Sequence, residues 1–354
     1  MNAELRTFRA PAEVVVRRST GRRLLDRLLA RPSAAALLGL VVVLVVFGLR
    51  SPGLLGSAGL AAVLDVAALM GIGAVAVAML LVGGQFDLSI GVVAGFSSLL
   101  TALLVSQAGL PLWPALAVSL VAALAVGAVN GLVVVATGLQ GFVVTGAMFL
   151  VLEGGSLALA ANMGGSSRVD GLSGVPGWAT AERVFASTVQ LGDGRYPVVL
   201  VWWVGATALT TWQLWRTRFG NGVFAIGGAG RVARELGVPV ARTTVLLFLG
   251  TAGAGWLIGT LALVRQGGVE VGPALATGFE FLVVAVIGGC LLTGGYGSTV
   301  GASLGALVYA VAREGITRAG WEPYWFQVFL GVLLLVALLA NGVVRRRLQA
   351  VPRS

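Results

Sequence analysis

Histidine and lysine are absent from this chain of 354 residues, and cysteine occurs once, as Cys290. Without histidine the chain lacks the commonest general base and metal ligand, and one cysteine excludes an intrachain disulfide and a multi-cysteine metal cluster. A P-loop needs a lysine that reaches the nucleotide phosphates, so an ordinary nucleotide-hydrolysing site is excluded as well. We therefore expect no catalytic residue, no metal site and no cofactor held by this chain itself.

Charged residues are also scarce. They make up 11% of the chain, and hydrophobic residues make up 57%, whereas ordinary soluble domains carry roughly 25% charged residues. About 20 consecutive apolar residues cross a bilayer as a helix. This length predicts an all-α, polytopic integral membrane protein with about ten transmembrane helices, at residues 34–49, 58–82, 88–106, 113–135, 139–161, 197–215, 243–264, 279–293, 298–317 and 325–344.

The arginines define the expected orientation. All 24 basic residues are arginine, and they gather in the polar segments between and beyond the apolar runs. Arginine-rich loops stay on the cytoplasmic side, which places both termini there. The net charge of +10 is explained in this way without nucleic acid, and membrane lipid is the expected surrounding. The chain divides into a basic segment 1–33, a membrane domain 34–344 with a large external loop near 162–196, and a basic tail 345–354.

One polar segment interrupts the apolar sequence. Residues 83–91, "GGQFDLSIG", place a carboxylate, an amide and a hydroxyl between two long apolar runs. Polar groups in lipid are costly unless they face protein or a water-filled path. The segment is therefore either a loop at a membrane face or a functional break in a membrane helix. Asn130, beside Gly131, is interpreted as a residue that forms a hydrogen bond between two helices. The role of Glu153 stays open.

The loop at residues 216–242 is longer than a connection between two spans requires. Gly227 and Gly228 can begin a short helix and Gly237 can end it. Arg231 and Arg234 would then lie about one turn apart on that helix. The loop is either an ordinary basic inner loop or a surface that presents a short helix to a partner.

Two glycine-rich segments resemble each other. "VGGQFDLSIGVVAG", around Gly83 and Gly84, is similar to "TGGYGSTVGASLG", around Gly294 and Gly295. Each follows a span that enters the cytoplasm and precedes one that leaves it, so the repeat would run parallel. Transport proteins often carry such repeats and bind their solute where the repeats meet.

Four motifs, in order between residues 52 and 344, resemble the permease subunits of bacterial ATP-binding-cassette importers for ribose, xylose and galactose. They are "GGQFDLSIG", "FVVTGAMFLVLEGG", "FGNGVFAIGGAGRVARELGVPVAR" and "GFEFLVVAVIGGCLLTGGYGSTVGASLGALV". The resemblance implies a dimeric, multi-pass permease in the bacterial plasma membrane. It further implies two cytoplasmic ATPase subunits, which would bind ATP and Mg, and an external sugar-binding protein.

The resemblance also gives the two open segments a function. The broken segment would line or hinge the solute path at its inner end, with Gln85, Asp87, Ser89 and Asn130 as path residues. The loop would dock on the ATPase through Gly228, Arg231, Ala233, Arg234, Glu235, Leu236, Gly237 and Val238. Sugar contacts are expected from hydroxyl and amide groups rather than from a charged clamp.

Three other functions compete with a sugar importer. Importers of nucleosides or branched-chain amino acids have related permeases, although "DLS-x-G" and "ELGV" fit the sugar branch better. A secondary transporter driven by protons or sodium would use Asp87 or Glu153 as its coupling site and would need no ATPase. An intramembrane enzyme is disfavoured because the chain lacks a base and an activated nucleophile.

Overall fold

A computed structural model describes residues 32–162, 168–270 and 275–349 of the chain. The described residues form twelve α-helices and four short strands. The helices are α1 (Pro32–Arg50), α2 (Ser57–Val82), α3 (Ile90–Ser106), α4 (Leu112–Thr137), α5 (Gly141–Asn162), α6 (Trp178–Phe185), α7 (Val199–Arg216), α8 (Arg218–Glu235), α9 (Val240–Gln266), α10 (Leu275–Ile287), α11 (Thr299–Arg318) and α12 (Tyr324–Gln349). The strands are β1 (Arg168–Val169), β2 (Thr188–Leu191), β3 (Gly194–Pro197) and β4 (Val269–Glu270).

Each of the ten segments predicted to span the membrane coincides with one of these helices. Six of them, α1, α2, α4, α5, α9 and α12, are long and apolar enough to cross a bilayer. The last helix continues to Gln349, beyond the predicted end at residue 344. The basic segment 1–33 lies outside the described residues except for its last two positions.

Helix α2 forms the centre of the bundle. Its residues 70–82 are all buried, and α7, α9, α10 and α11 pack around it. A helix that is apolar on every face is stable only when other helices or lipid cover it on all sides. The sequence of α2 meets this condition because it carries one charged side chain, Asp65, near its beginning.

Glycine-rich, non-helical backbone separates two pairs of consecutive helices. The non-helical residues 83–89 precede α3, and the non-helical residues 288–298 separate α10 from α11. The prediction that a helix continues to residue 293 is therefore wrong, because α10 ends at Ile287 in front of two glycines. Both non-helical segments are packed against other parts of the chain through their glycines.

The strands lie together at one end of the bundle, which we call the hairpin end. There β1 pairs antiparallel with β4, and β2 pairs antiparallel with β3 in a hairpin. Ser57, the first residue of α2, fastens the hairpin: its Oγ donates to Leu191 O at 2.6 Å and accepts from Gly194 N at 3.0 Å. The all-α prediction is correct for the bundle and misses these short strands.

Helices α10 and α11 pack through glycine. A Cβ added at Gly305 of α11 would overlap the carbonyl oxygen of Val284 in α10 and approach Gly288 N to 2.9 Å. Small residues let membrane helices approach until their backbones touch. The absence of a side chain at Gly305 is therefore a packing requirement.

We expect Gly305→Ala to lower the stability of the folded protein by about 1–3 kcal/mol, because overpacking forces the two backbones apart. Thermal unfolding in detergent measures this effect. Gly331→Ala in α12 is the matched control, since a Cβ there meets no atom within 4 Å. Equal unfolding midpoints for the two variants would contradict the close packing of α10 on α11.

Candidate functional site

The polar segment after α2 is a rigid double turn. Gln85 N donates to Leu80 O at 3.0 Å, and Gly84 N donates to Leu81 O at 2.8 Å. These two bonds form a Schellman motif, whose left-handed residue is Gly84 with φ of 73°. Ser89 N then donates to Asp87 Oδ1 at 2.8 Å, which closes a local turn before α3. Local hydrogen bonds therefore determine the path of this segment.

Asp87 is the centre of a buried hydrogen-bond network. Its Oδ1 accepts from the Oγ of Ser89 at 2.6 Å, in addition to the bond from Ser89 N, and its Oδ2 accepts from Thr251 Oγ1 at 2.5 Å. The Asp87 side chain is 2% exposed. No ion pair among the described residues includes it. A buried carboxylate is stable only when hydrogen-bonded, so hydroxyl and amide donors replace a cation here.

Asn130 extends the network to α4. Its Nδ2 donates to Ser89 Oγ at 3.0 Å, and Ser89 Oγ in turn donates to Asp87. The Oδ1 of Asn130 is buried and has no hydrogen-bond partner among the described residues. We call Asp87, Ser89, Asn130 and Thr251 the Asp87 cluster; it joins the start of α3 to α4 and α9.

The structure brings together three of the four residues predicted to line a path. Ser89 is hydrogen-bonded to both Asp87 and Asn130, whereas Gln85 lies apart, with its Oε1 beside Gly141 at the start of α5. Asn130 makes the hydrogen bond between helices that the sequence indicated. Every member of the cluster is buried. In this conformation the cluster therefore holds helices together and is closed to solvent.

Sequence reasoning gave no role to two residues of this site. Among the described residues Thr251 supplies the only side-chain donor to Asp87 Oδ2, and Thr145 of α5 accepts from Leu88 N at 2.9 Å. Both are hydroxyl residues inside apolar runs, which is a weak signal because threonine is common in membrane helices. Their roles depend on which helices are neighbours.

Helix α8 has two arms. It begins at Arg218, and the Oγ1 of the preceding Thr217 accepts a hydrogen bond from Gly220 N at 3.2 Å. A kink at Ala229, where φ is −159° and ψ is 76°, separates the first arm, residues 218–228, from the second arm, which begins at residue 230. The helix therefore begins nine residues before Gly227, the residue at which the sequence predicted that a short helix begins. Gly237, with φ of 81°, ends it as predicted.

The second arm of α8 presents a mixed surface. Ala233 is buried and attaches the arm to the bundle, while Val232 and Leu236 are 50% and 78% exposed. Arg231, Arg234, Glu235 and Gly237 are exposed as well, and Val238 is half-buried. Among the described residues neither arginine forms an ion pair. Two exposed apolar side chains between unpaired arginines are typical of a surface that binds another protein.

The first arm of α8 ends on two glycine turns, in a contact that we call the glycine junction. It consists of the pairs Gly83–Gly84, Gly227–Gly228 and Gly294–Gly295. Gly295 N donates to Val82 O at 2.8 Å, and a Cβ added at Gly294 would lie 2.7 Å from Gly84 Cα and 2.8 Å from Gly227 O. The two segments with similar sequences are thus neighbours, and α8 lies against both.

We expect Thr251→Val to destabilise the protein by about 1–3 kcal/mol, because Asp87 Oδ2 loses its donor inside the protein. Thr251→Ser is the matched control, since it keeps the hydroxyl. Thermal unfolding in detergent should rank the valine variant below the serine variant, although valine retains more apolar volume. The reverse ranking would show that the hydroxyl does not support the carboxylate.

Comparisons with known proteins agree with this architecture. Residues 59–338 match the family described as "Branched-chain amino acid transport system / permease component". The chain is 33% identical to the probable ABC transporter permease protein YphD of Escherichia coli K12, over 88% of this chain and 90% of that protein. It is 30% identical to the autoinducer 2 import system permease protein LsrD of Salmonella typhimurium, over 79% and 82%.

The chain is also 29% identical to the fructose import permease protein FrcC of Rhizobium meliloti, over 89% of this chain and 86% of that protein. No solved structure matches it. The family match covers most of the helical bundle, including the Asp87 cluster and α8. The chain therefore belongs to this family of ABC transporter permeases and is a multi-pass protein of the inner membrane.

Proposed function

We propose that the chain is the membrane-spanning subunit of an ATP-binding-cassette importer for a monosaccharide-type solute. An external binding protein delivers the solute, two separate cytoplasmic ATPase subunits supply the energy, and a second copy of the permease completes the path. The similarity to a fructose import permease supports a sugar as the solute. Because the chain has no lysine for a P-loop, we assign ATP hydrolysis to a separate subunit.

The surface of the second arm of α8 is the observation that supports an ATPase partner most directly. Its exposed arginines and apolar side chains lie on a helix anchored to the bundle, next to the glycine junction. Such an anchored helix can follow a partner's movement, which a flexible loop would absorb. The proposed contact residues remain Gly228, Arg231, Ala233, Arg234, Glu235, Leu236, Gly237 and Val238.

The proposed topology has ten crossings and both termini in the cytoplasm. The contacts at each end of the bundle support it, because they join segments that the sequence places on the same side. The glycine junction unites three segments predicted to lie inside. At the hairpin end, Ser57 binds the β2–β3 hairpin and β1 pairs with β4, all of them predicted outside.

The Asp87 cluster and Gln85 are proposed to face the solute when the permease opens. Hydroxyl and amide groups suit a sugar, and Asn130 Oδ1 is an acceptor without a partner among the described residues. A permease should hold its solute weakly, because a solute shifts the conformational equilibrium only through its different affinities for the two states. The closed cluster described above would be one of those states.

A branched-chain amino acid is the second candidate solute, because the family description names that class. An ion-coupled secondary transporter is disfavoured by the family, which is one of ABC permeases. Importers of sugars, of branched-chain amino acids and of nucleosides differ in their solute, and each of them needs an ATPase partner.

We expect the tagged chain, purified in mild detergent from its native cell, to bring down an ABC ATPase subunit. Arg231→Glu with Arg234→Glu should abolish this association, since two charges on the second arm are reversed. Mass spectrometry of the purified material identifies the partner.

Arg183→Glu with Arg195→Glu is the matched control, because it makes the same charge change at exposed positions of the hairpin end. Loss of the ATPase in this control as well would indicate general destabilisation. If no ATPase is found in the wild-type preparation, the proposal that the chain is part of an ATP-driven importer is wrong.

The solute is tested by uptake. Cells that lack the chain should take up less radiolabelled fructose than complemented cells, and uptake of leucine and adenosine should be unchanged. A defect confined to leucine or to adenosine would assign the chain to the corresponding competing class of importer.

A further inference from the structure

The glycine junction lies where movement of α8 would have to enter the bundle. The first arm of α8 ends at Gly227 and Gly228, immediately before the kink at Ala229. The exposed second arm begins after that kink. Displacement of the second arm can therefore reach the first arm through the backbone of these two glycines.

Gly227 packs directly on the end of α2. A Cβ built on Gly227 would overlap the carbonyl oxygen of Val82, the last residue of α2, and would lie 2.6 Å from Gly295 N. The carbonyl group of Val82 has no acceptor role inside its own helix, and Gly295 N–H satisfies it at 2.8 Å. The end of α2 is thus held between α8 and the turn that precedes α11.

A second contact attaches the first arm of α8 to the same end of α2. Val223 is fully buried in an apolar cluster with Met79, Leu80 and Val82 of α2 and with Leu247 of α9. Close-packed interiors transmit displacement because they contain few voids. The glycine contacts add to this, since a backbone contact cannot relax by a change of rotamer.

The end of α2 is in turn connected rigidly to the Asp87 cluster. Two residues separate Gly84 from Asp87, and the Schellman motif and the bond from Ser89 N leave this turn little freedom. Displacement of the last turn of α2 would therefore move the Asp87 carboxylate relative to Thr251 of α9 and Asn130 of α4.

We propose that Gly227 is a positioning residue for transport: through its contact with Val82, movement of α8 displaces the end of α2 and opens the Asp87 cluster. This inference rests on the proposed function, because it takes the ATPase to be the partner that moves the second arm. Gly84, Gly294 and Gly295 complete the contact by allowing the three backbones to meet.

The test is amide hydrogen exchange of the purified permease–ATPase complex, with and without the ATP analogue AMP-PNP. In the wild-type complex, AMP-PNP should change exchange in residues 230–238 and also in residues 80–89. In Gly227→Ala, the complex should persist and the change at 230–238 should remain. The change at 80–89 should fall about fivefold or more, as expected when a typical coupling between sites is lost.

Gly331→Ala is the control, because a Cβ there meets no atom within 4 Å and α12 lies outside both the glycine junction and the proposed ATPase contact. It should behave as the wild type does. If the wild-type complex responds at 230–238 and not at 80–89, the inference is wrong whether or not Gly227→Ala folds. The inference is also wrong if the Gly227→Ala complex retains the change in exchange at residues 80–89. Failure of the ATPase to purify with the wild-type chain would instead overturn the proposed function and, with it, this inference.

Discussion

The end of helix α2 is the point on which the rest of the bundle depends. α2 is buried along its second half, and its final carbonyl, on Val82, accepts a hydrogen bond from Gly295 while Gly227 packs against it. Inside a membrane protein, each backbone polar group needs a partner within the protein. Satisfying this carbonyl with distant backbone therefore holds α2, α8 and the turn before α11 in one arrangement.

Glycine makes this arrangement possible, and polar side chains complete it. The same chain that packs backbone on backbone at the glycine junction buries a carboxylate a few residues away, with hydroxyl and amide donors in place of a cation. Such a network costs less to rearrange than a buried ion pair, because neutral partners can find new hydrogen bonds. Under the proposed function the cluster would be closed in one state of the transporter and open in another.

The two ends of the molecule differ in the surfaces that they offer. At the α8 end, exposed arginines and apolar side chains occupy a short arm beyond a kink. At the hairpin end, a β-hairpin is fastened to the first residue of α2. Because α2 runs from one end to the other, both surfaces lie beside elements that contact this one helix.

The sequence by itself determined the helices, their approximate limits and the segments that interrupt them. Apolar runs of bilayer length predicted ten helical segments, and the polar residues 83–91 and Gly237 indicated interruptions that the structure contains. Only the tertiary structure decided that Thr251 meets Asp87, that Gly227 meets Val82, and that α10 ends at Ile287. The reason is physical: a helix forms from local spacing and hydropathy, whereas these contacts join residues far apart in the chain. The partner of each residue depends on the set of helices that pack together. Helices that are apolar on every face do not specify that set.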